Sequence, residues 1–318
     1  MNNILPLKII FLNVYHGDGI VVLFPNKEKY ETAMIIDCND GIKTYNVLKE
    51  YGIRYIEAIV ISHFHIDHYK GFDILLSKLK EEKIRLKNMF YYPDRIYRER
   101  KESKIYGSFL AKIAGMASSG DFVTNSNIID GVNKEKNIYN HMNLKIDLIY
   151  PRLEDITGEY TINNYSGVVE IKYKNSKVLL TGDLESEGWF KLYNFVKKHK
   201  NEESLNVDIL KMPHHGAFYI RGEKAMNTRE ILDIIKPNYA IISTAENKKY
   251  KHPNIDTIKE LRKNKIKILC TNSTSICGSN CECFGNIIVD IDDNIIIKDY
   301  DIKEQKLFCV KNYWTEKD

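Results

Sequence analysis

An α/β fold is what the sequence predicts, on three observations. In the first third, short apolar runs of strand length alternate with a helical repeat. Clusters of histidine and aspartate stand directly behind apolar runs, as they do on loops at the carboxyl ends of strands. The last third then repeats helix, strand, helix, strand.

Taken in order, KIIFLNV (8–14) and GIVVLFP (19–25) read as strands joined by a tight turn at Gly17-Asp18-Gly19. TAMIIDCN (32–39) is a third strand ending on Asp37. YNVLKEYGI has helical spacing and stops at Gly52, and YIEAIVIS (55–62) is a buried strand. Phe72, Leu75, Leu76 and Leu79 recur at i, i+3, i+4 and i+7, so a helix begins at about Asp67 to Gly71. Residues 92–140 are irregular and read as a partly helical insertion, in which Arg95, Arg98, Arg100, Lys101 and Lys104 interleave with Tyr91, Tyr92, Tyr97 and Tyr106. Strands resume at 144–151, and 167–173 with 177–183 form a hairpin around Lys174-Asn175-Ser176. With no internal repeat and no low-complexity linker, residues 1–318 are expected to form a single domain.

Composition excludes several classes. A chain of 318 residues with 43% hydrophobic and 28% charged residues can bury a large core. The formal net charge of +4 permits an anionic substrate without requiring one. No apolar stretch reaches the ~18–20 residues of a membrane span, and the N-terminus lacks the basic region and cleavage site of a signal peptide. A cytoplasmic location is the expectation, since a chain of this size does not need disulfides.

The chemistry concentrates in ISHFHIDH (61–68). Residues i and i+2 of an extended segment point the same way, so His63 and His65 can address one metal ion, while Asp67 and His68 serve a second. Such donors suit zinc, or manganese where oxygen ligands are more numerous. KVLLTGDLE places Asp183 behind another apolar strand, where a carboxylate could bridge two ions. DILKMPHHGAF ends a further strand on His214-His215-Gly216.

In this order on strand ends, H-x-H-x-D-H, T-G-D and P-H-H-G resemble the metallo-β-lactamase fold. FLNVYHGDGIVVLFP, NNYSGVVEIKYKNSKVLLTGDLE, VDILKMPHHGA and KPNYAIISTAENKKYKHPNIDTIKELRK are similar to the hydrolase domain of the DNA-uptake proteins called ComEC/Rec2 and its free-standing relatives, over about residues 8–290. The resemblance implies an αββα sandwich with His63 and His65 on the first ion, Asp67 and His68 on the second, Asp183 bridging, and His214 or His215 completing the shell. Asp67 and Asp183 are the expected catalytic carboxylates. Many relatives carry a further histidine before the hairpin that leads to the bridging aspartate. Here that region reads Asn163-Asn164-Tyr165-Ser166, so either a paired histidine substitutes or the first ion is held loosely. His252 matches a Gly-His-Pro-type motif and could bind metal or substrate phosphate. Asp37 and Asp18 are expected to orient histidines. His141 is expected at the surface, and His16 stands where relatives usually have glutamine.

Two adjacent divalent ions would activate a water for hydrolysis and neutralise charge at the reacting centre. The expected reaction is cleavage of a phosphodiester, in DNA or RNA if the basic and aromatic insertion meets a nucleic acid. An acyl, lactone or small phosphoester hydrolase is the alternative, and a non-catalytic binding module a further one. Cys270, Cys277, Cys281 and Cys283 are spaced C-x6-C-x3-C-x-C, either a small structural zinc site, with Cys277, Cys281 and Cys283 its candidates, or free thiols on a loop at 270–283. Cys38 reads as a small core residue.

Overall fold

The computed structural model describes residues 4–93, 103–130, 135–156, 161–246, 250–276, 285–301 and 306–309. Its first half runs β1 (Leu7–Phe11), β2 (Gly19–Leu23), β3 (Thr32–Cys38), α1 (Gly41–Glu50), β4 (Tyr55–Val60), α2 (Ile66–Tyr69), α3 (Phe72–Glu81), β5 (Arg85–Tyr91), α4 (Ser103–Ser118), β6 (Val123–Ser126), β7 (Lys136–His141) and β8 (Leu144–Tyr150). The second half runs β9 (Val168–Tyr173), β10 (Ser176–Leu180), α5 (Ser186–His199), β11 (Ile209–Lys211), α6 (Thr228–Ile235), β12 (Tyr239–Ile242), α7 (Ile255–Lys263), β13 (Lys267–Cys270), β14 (Asn286–Ile291), β15 (Ile295–Asp301) and β16 (Lys306–Cys309).

Two sheets result, ordered β16-β15-β14-β1-β2-β3-β4-β5-β6 and β13-β12-β11-β10-β9-β8-β7. Their inner faces share one core, in which Ile9, Val22, Met34 and Val60 join Val169, Ile171, Ile209 and Ile241. On the outer face of the first sheet, Ile35 and Ile59 pack with Leu48, Leu75, Leu79 and Phe109 of its helices. Trp189, Leu232 and Leu261 cover the outer face of the second sheet. The layers are therefore helix, sheet, sheet, helix, the αββα sandwich. Strands buried on both faces explain the apolar runs of β2 and β3, and of β4 apart from Glu57.

Within 92–140 the described residues form α4, β6 and most of β7. β6 extends the first sheet beside β5, and β7 pairs with β8 at the edge of the second. Tyr106, grouped in the sequence with the basic residues, is buried with its ring 5.0 Å from Phe64, and Tyr91 lies 6.0 Å from the same ring. They are core aromatics, because the apolar face of α4 has to be covered. Arg95, Arg98, Arg100, Lys101 and Tyr97 lie outside the described residues, as do Cys277, Cys281 and Cys283. Cys270 and Cys38 are buried, and burial pushes the Cys38 thiol up to about 12.

β3, β4, β5 and β6 run parallel, as do β10, β11, β12 and β13. The helix expected after the histidine cluster divides into α2 and α3 around Gly71. A Cβ at Gly41 would come within 2.1 Å of the Gly71 carbonyl, so α1 and α3 cross where neither residue has a side chain. No helix among the described residues is long and apolar enough to cross a membrane.

Candidate metal centre

Four strand ends converge on one mouth. β4 leads into Ile61–His65, whose backbone is tied to both sheets: Asn127 Nδ2 donates to the Ile61 carbonyl at 2.6 Å, and the Gly167 N–H donates to the Ser62 carbonyl at 2.9 Å. β3 delivers Asp37, β10 delivers Asp183, and β11 delivers Lys211 and the paired histidines.

The donors divide between the two oxygens of Asp183. His63 Nε2 and His214 Nε2 lie 3.8 and 3.9 Å from Oδ2. His68 Nε2 and His215 Nε2 lie 3.3 and 3.7 Å from Oδ1. His65 joins the first group, since a ligand atom from each of His63, His65 and Asp183 falls within one 4.8 Å cluster. Asp67 joins the second, its Oδ2 being 3.4 Å from His215 Nε2 and 4.0 Å from His68 Nε2. Both paired histidines thus face the aspartate, one on each side. This departs from the expectation that one of them would serve, and His214 stands on the side where the sequence lacked a histidine. Both adopt left-handed backbone, φ 45° and 53°, which turns consecutive side chains in different directions.

The outer nitrogens are committed elsewhere. His68 Nδ1 donates to Asp37 Oδ2 at 2.9 Å, and His215 Nδ1 donates to the Ser243 carbonyl at 2.8 Å. The Ser62 hydroxyl donates to Asp37 at 2.6 Å, so at 3.1 Å it accepts from His63 Nδ1. These bonds leave each Nε2 lone pair directed at the centre. His63 Nε2, His68 Nε2, His215 Nε2 and Asp183 Oδ1 are all buried without a well-formed hydrogen bond. Buried polar atoms are rarely left so, and inward nitrogens fixed by outer hydrogen bonds are what metal ions require. The residues present therefore fit a pair of divalent ions.

The buried carboxylates and imidazoles shift one another strongly. Burial works against ionising Asp183, yet His68, His215 and His214 hold its carboxyl well below the usual range. Burial and the neighbouring His68 push His63 well below an ordinary histidine. Burial also raises the Asp37 carboxyl, against the opposing pull of His68.

Asp37, at the end of β3, accepts from both His68 Nδ1 and the Ser62 hydroxyl. Asp18 is fully buried, 3.6 Å from His68 Nδ1, but its main partner is Lys211, to which it is ion-paired. Lys211 Nζ also donates to the Gly182 carbonyl at 2.9 Å and lies 3.9 Å from Asp183 Oδ1. Sequence reasoning missed this lysine, although a charge inside the apolar run ILKMP was the available signal. It also missed Glu185, whose Oε1 accepts from Asn163 at 2.8 Å and stands 3.1 Å from His214 Nδ1. The Asn163 region therefore serves His214 through Glu185. The ring of His252 lies 5.2 Å from that of His214, but among the described residues it joins no cluster of potential ligands. His141 is exposed at the end of β7.

The chain is similar to several known proteins. The family model of the Metallo-beta-lactamase superfamily matches residues 31–245, a span that holds every donor above except Asp18. ComE operon protein 3 of Bacillus subtilis (strain 168) is 26% identical over 221 residues, which is 70% of this chain and 24% of that protein. The chain therefore spans about a quarter of the length of that relative. Among solved structures, the short form of human tRNase Z is 14% identical with a TM-score of 0.41, covering 74% of this chain and 92% of its own. A diphosphatase of the PhnP family is 13% identical with a TM-score of 0.39, over 74% and 85%. The diiron beta-hydroxylase CmlA of Streptomyces venezuelae is 12% identical with a TM-score of 0.49, over 90% and 55%.

Proposed function

The chain belongs to the metallo-beta-lactamase superfamily and is a metal-dependent hydrolase; from that premise we propose that it cleaves phosphodiesters with two divalent ions seated on either side of Asp183. The observation that carries the two-ion reading is the division of donors: His63, His65 and His214 on the Oδ2 side, Asp67, His68 and His215 on the Oδ1 side. Five imidazoles against two carboxylates favour zinc over manganese.

When bound, such ions supply an activated water at neutral pH and Lewis acidity toward a phosphoryl oxygen and its leaving group. The residues of the chain do the rest. Asp183 holds the two sides of the centre in register. Asp37, Ser62 and the Ser243 carbonyl fix which nitrogen of His68, His63 and His215 carries the proton. Glu185 steadies His214 against Asn163. At the mouth, burial and the nearby His214 lower His252 to about 4, so its neutral ring can offer a hydrogen bond to a substrate oxygen without adding charge.

Phosphodiesters are favoured because adjacent ions suit in-line displacement at phosphorus, and because the motifs resemble those of a DNA-uptake family. The rim adds an exposed Tyr15 with Lys43 Nζ 4.9 Å from its ring, a pairing able to meet a base and a phosphate. The test is cleavage of single- and double-stranded DNA, RNA and a small phosphodiester with zinc or manganese, by the wild-type chain and Asp67→Ala. Cleavage lost in the variant supports the proposal. Metal-loaded protein that spares every phosphodiester but opens a lactone or acyl ester overturns it.

A further inference from the structure

We infer that His16 is an additional metal ligand, joining Asp67, His68 and His215 on the Oδ1 side of Asp183. The residue lies outside the span matched by the family model, and its position in the sequence gave no reason to include it. In three dimensions its Nε2 is 3.5 Å from Asp67 Oδ2, and its ring centroid is 4.4 Å from that of His215. One ligand atom from each of His16, Asp67 and His215 falls within a 4.8 Å cluster. His16 Nδ1 is buried and has no hydrogen-bond partner.

The loop that carries His16 is fastened to the loop that carries Asp67. The Asp18 N–H donates to the Asp67 carbonyl at 3.2 Å. Asn39 Nδ2 donates to the carbonyls of His16 and Val14, at 2.6 and 3.1 Å, and the Asn39 N–H donates to the Asp18 carbonyl at 2.9 Å. Between them Gly17 adopts φ +118°, and a Cβ there would come within 2.3 Å of the Asp67 carbonyl and 2.7 Å of Asn39 Nδ2. Only glycine permits that approach. The separation of residues 16 and 67 is thus set by backbone contacts before any ion arrives, which is the preorganisation a ligand pair needs. On its outer side the His16 ring lies nearly parallel to Tyr250, 5.8 Å away and inclined by 8°, which limits its swing toward solvent. The Oδ1 side therefore commands one protein ligand more than the Oδ2 side, and its ion is the more tightly held.

The experiment reads metal rather than turnover, so its failure is separable from failure of the phosphodiester reading. Zinc-loaded wild type, His16→Gln, His16→Asp and the exposed control Val123→Ala are titrated with a chelator, and their cobalt-substituted forms are compared by visible absorption. Wild type and Val123→Ala are expected to behave alike. His16→Gln is expected to lose the tighter ion with an affinity at least ~10-fold lower and a changed cobalt spectrum, and His16→Asp, which restores a ligand, to recover most of both. If His16→Gln does not fold, the 15N imidazole resonances of wild type decide, since zinc must then move those of His16. Unchanged affinity and spectrum in His16→Gln, or His16 resonances indifferent to zinc, overturn the inference.

Discussion

His214 and His215 are neighbours in the chain, yet their Nε2 atoms face opposite oxygens of Asp183, at 3.9 Å from Oδ2 and 3.7 Å from Oδ1. Their left-handed backbone, at a cost of about 1–2 kcal/mol per residue, is how adjacent side chains come to serve two sides of one carboxylate. His214→Ala is therefore expected to weaken the ion on the His63 side and spare the other, and His215→Ala to do the reverse. Chelator titration of each variant checks this. Equal effects of the two substitutions on both ions would contradict it.

Lys211 is fully buried beneath the centre and paired with Asp18. Burial alone would lower its pKa, but Asp18 and Asp183 hold it above the ordinary lysine value. Removing one member of a buried pair strands the other, at about 3–5 kcal/mol. Lys211→Met is expected to unfold at markedly lower denaturant concentration, and Lys211→Met with Asp18→Asn to recover part of the loss. A double variant no more stable than Lys211→Met would show that the pair is not the source of the effect.

Metal removal gives a third expectation. With Asp67 and Asp183 gathered among the histidines, ions that bind the native state alone stabilise it, by about 4 kcal/mol at a thousandfold excess over Kd. Chelated protein is expected to show a lower Tm that added zinc restores. Identical melting curves with and without chelator would count against the centre.

Much of this was legible in the sequence, and for physical reasons. Apolar runs announce strands buried on both faces, and only Glu57 in β4 breaks into their middles, so β3, β4, β10 and β11 and the candidate donors behind them could be read directly. What could not be read depends on the meeting of distant loops. His16 reaches Asp67 only because Asn39 and Gly17 bind their loops together, and the charge inside ILKMP finds its partner only when Asp18 arrives from the other sheet. The division of labour between His214 and His215 rests on two backbone angles that neither residue type announces. The tyrosines at 91 and 106 misled because an aromatic beside basic residues looks the same whether it faces solvent or Phe64.

Glu135 gives the pH dependence a sign. Burial would raise its carboxyl, but hydrogen bonds from Lys145 and Lys200, at 2.7 and 2.6 Å, lower it to about 2. A depressed carboxylate contributes stability above its unfolded value, about 4.3, and loses it as pH falls toward 2. Its side chain is 27% exposed, so solvent screening holds the contribution near 1 kcal/mol. Glu135→Gln is expected to be less stable than wild type at pH 7, with the gap closing between about pH 4.5 and 2. A gap that is constant with pH would assign the difference to packing instead.

The most direct measurement is anomalous diffraction at the zinc edge from crystals of the zinc-loaded chain. The expected result is two peaks flanking Asp183, one among His63, His65 and His214 and the other among Asp67, His68 and His215. A single peak, or none, at Asp183 would contradict the two-ion centre.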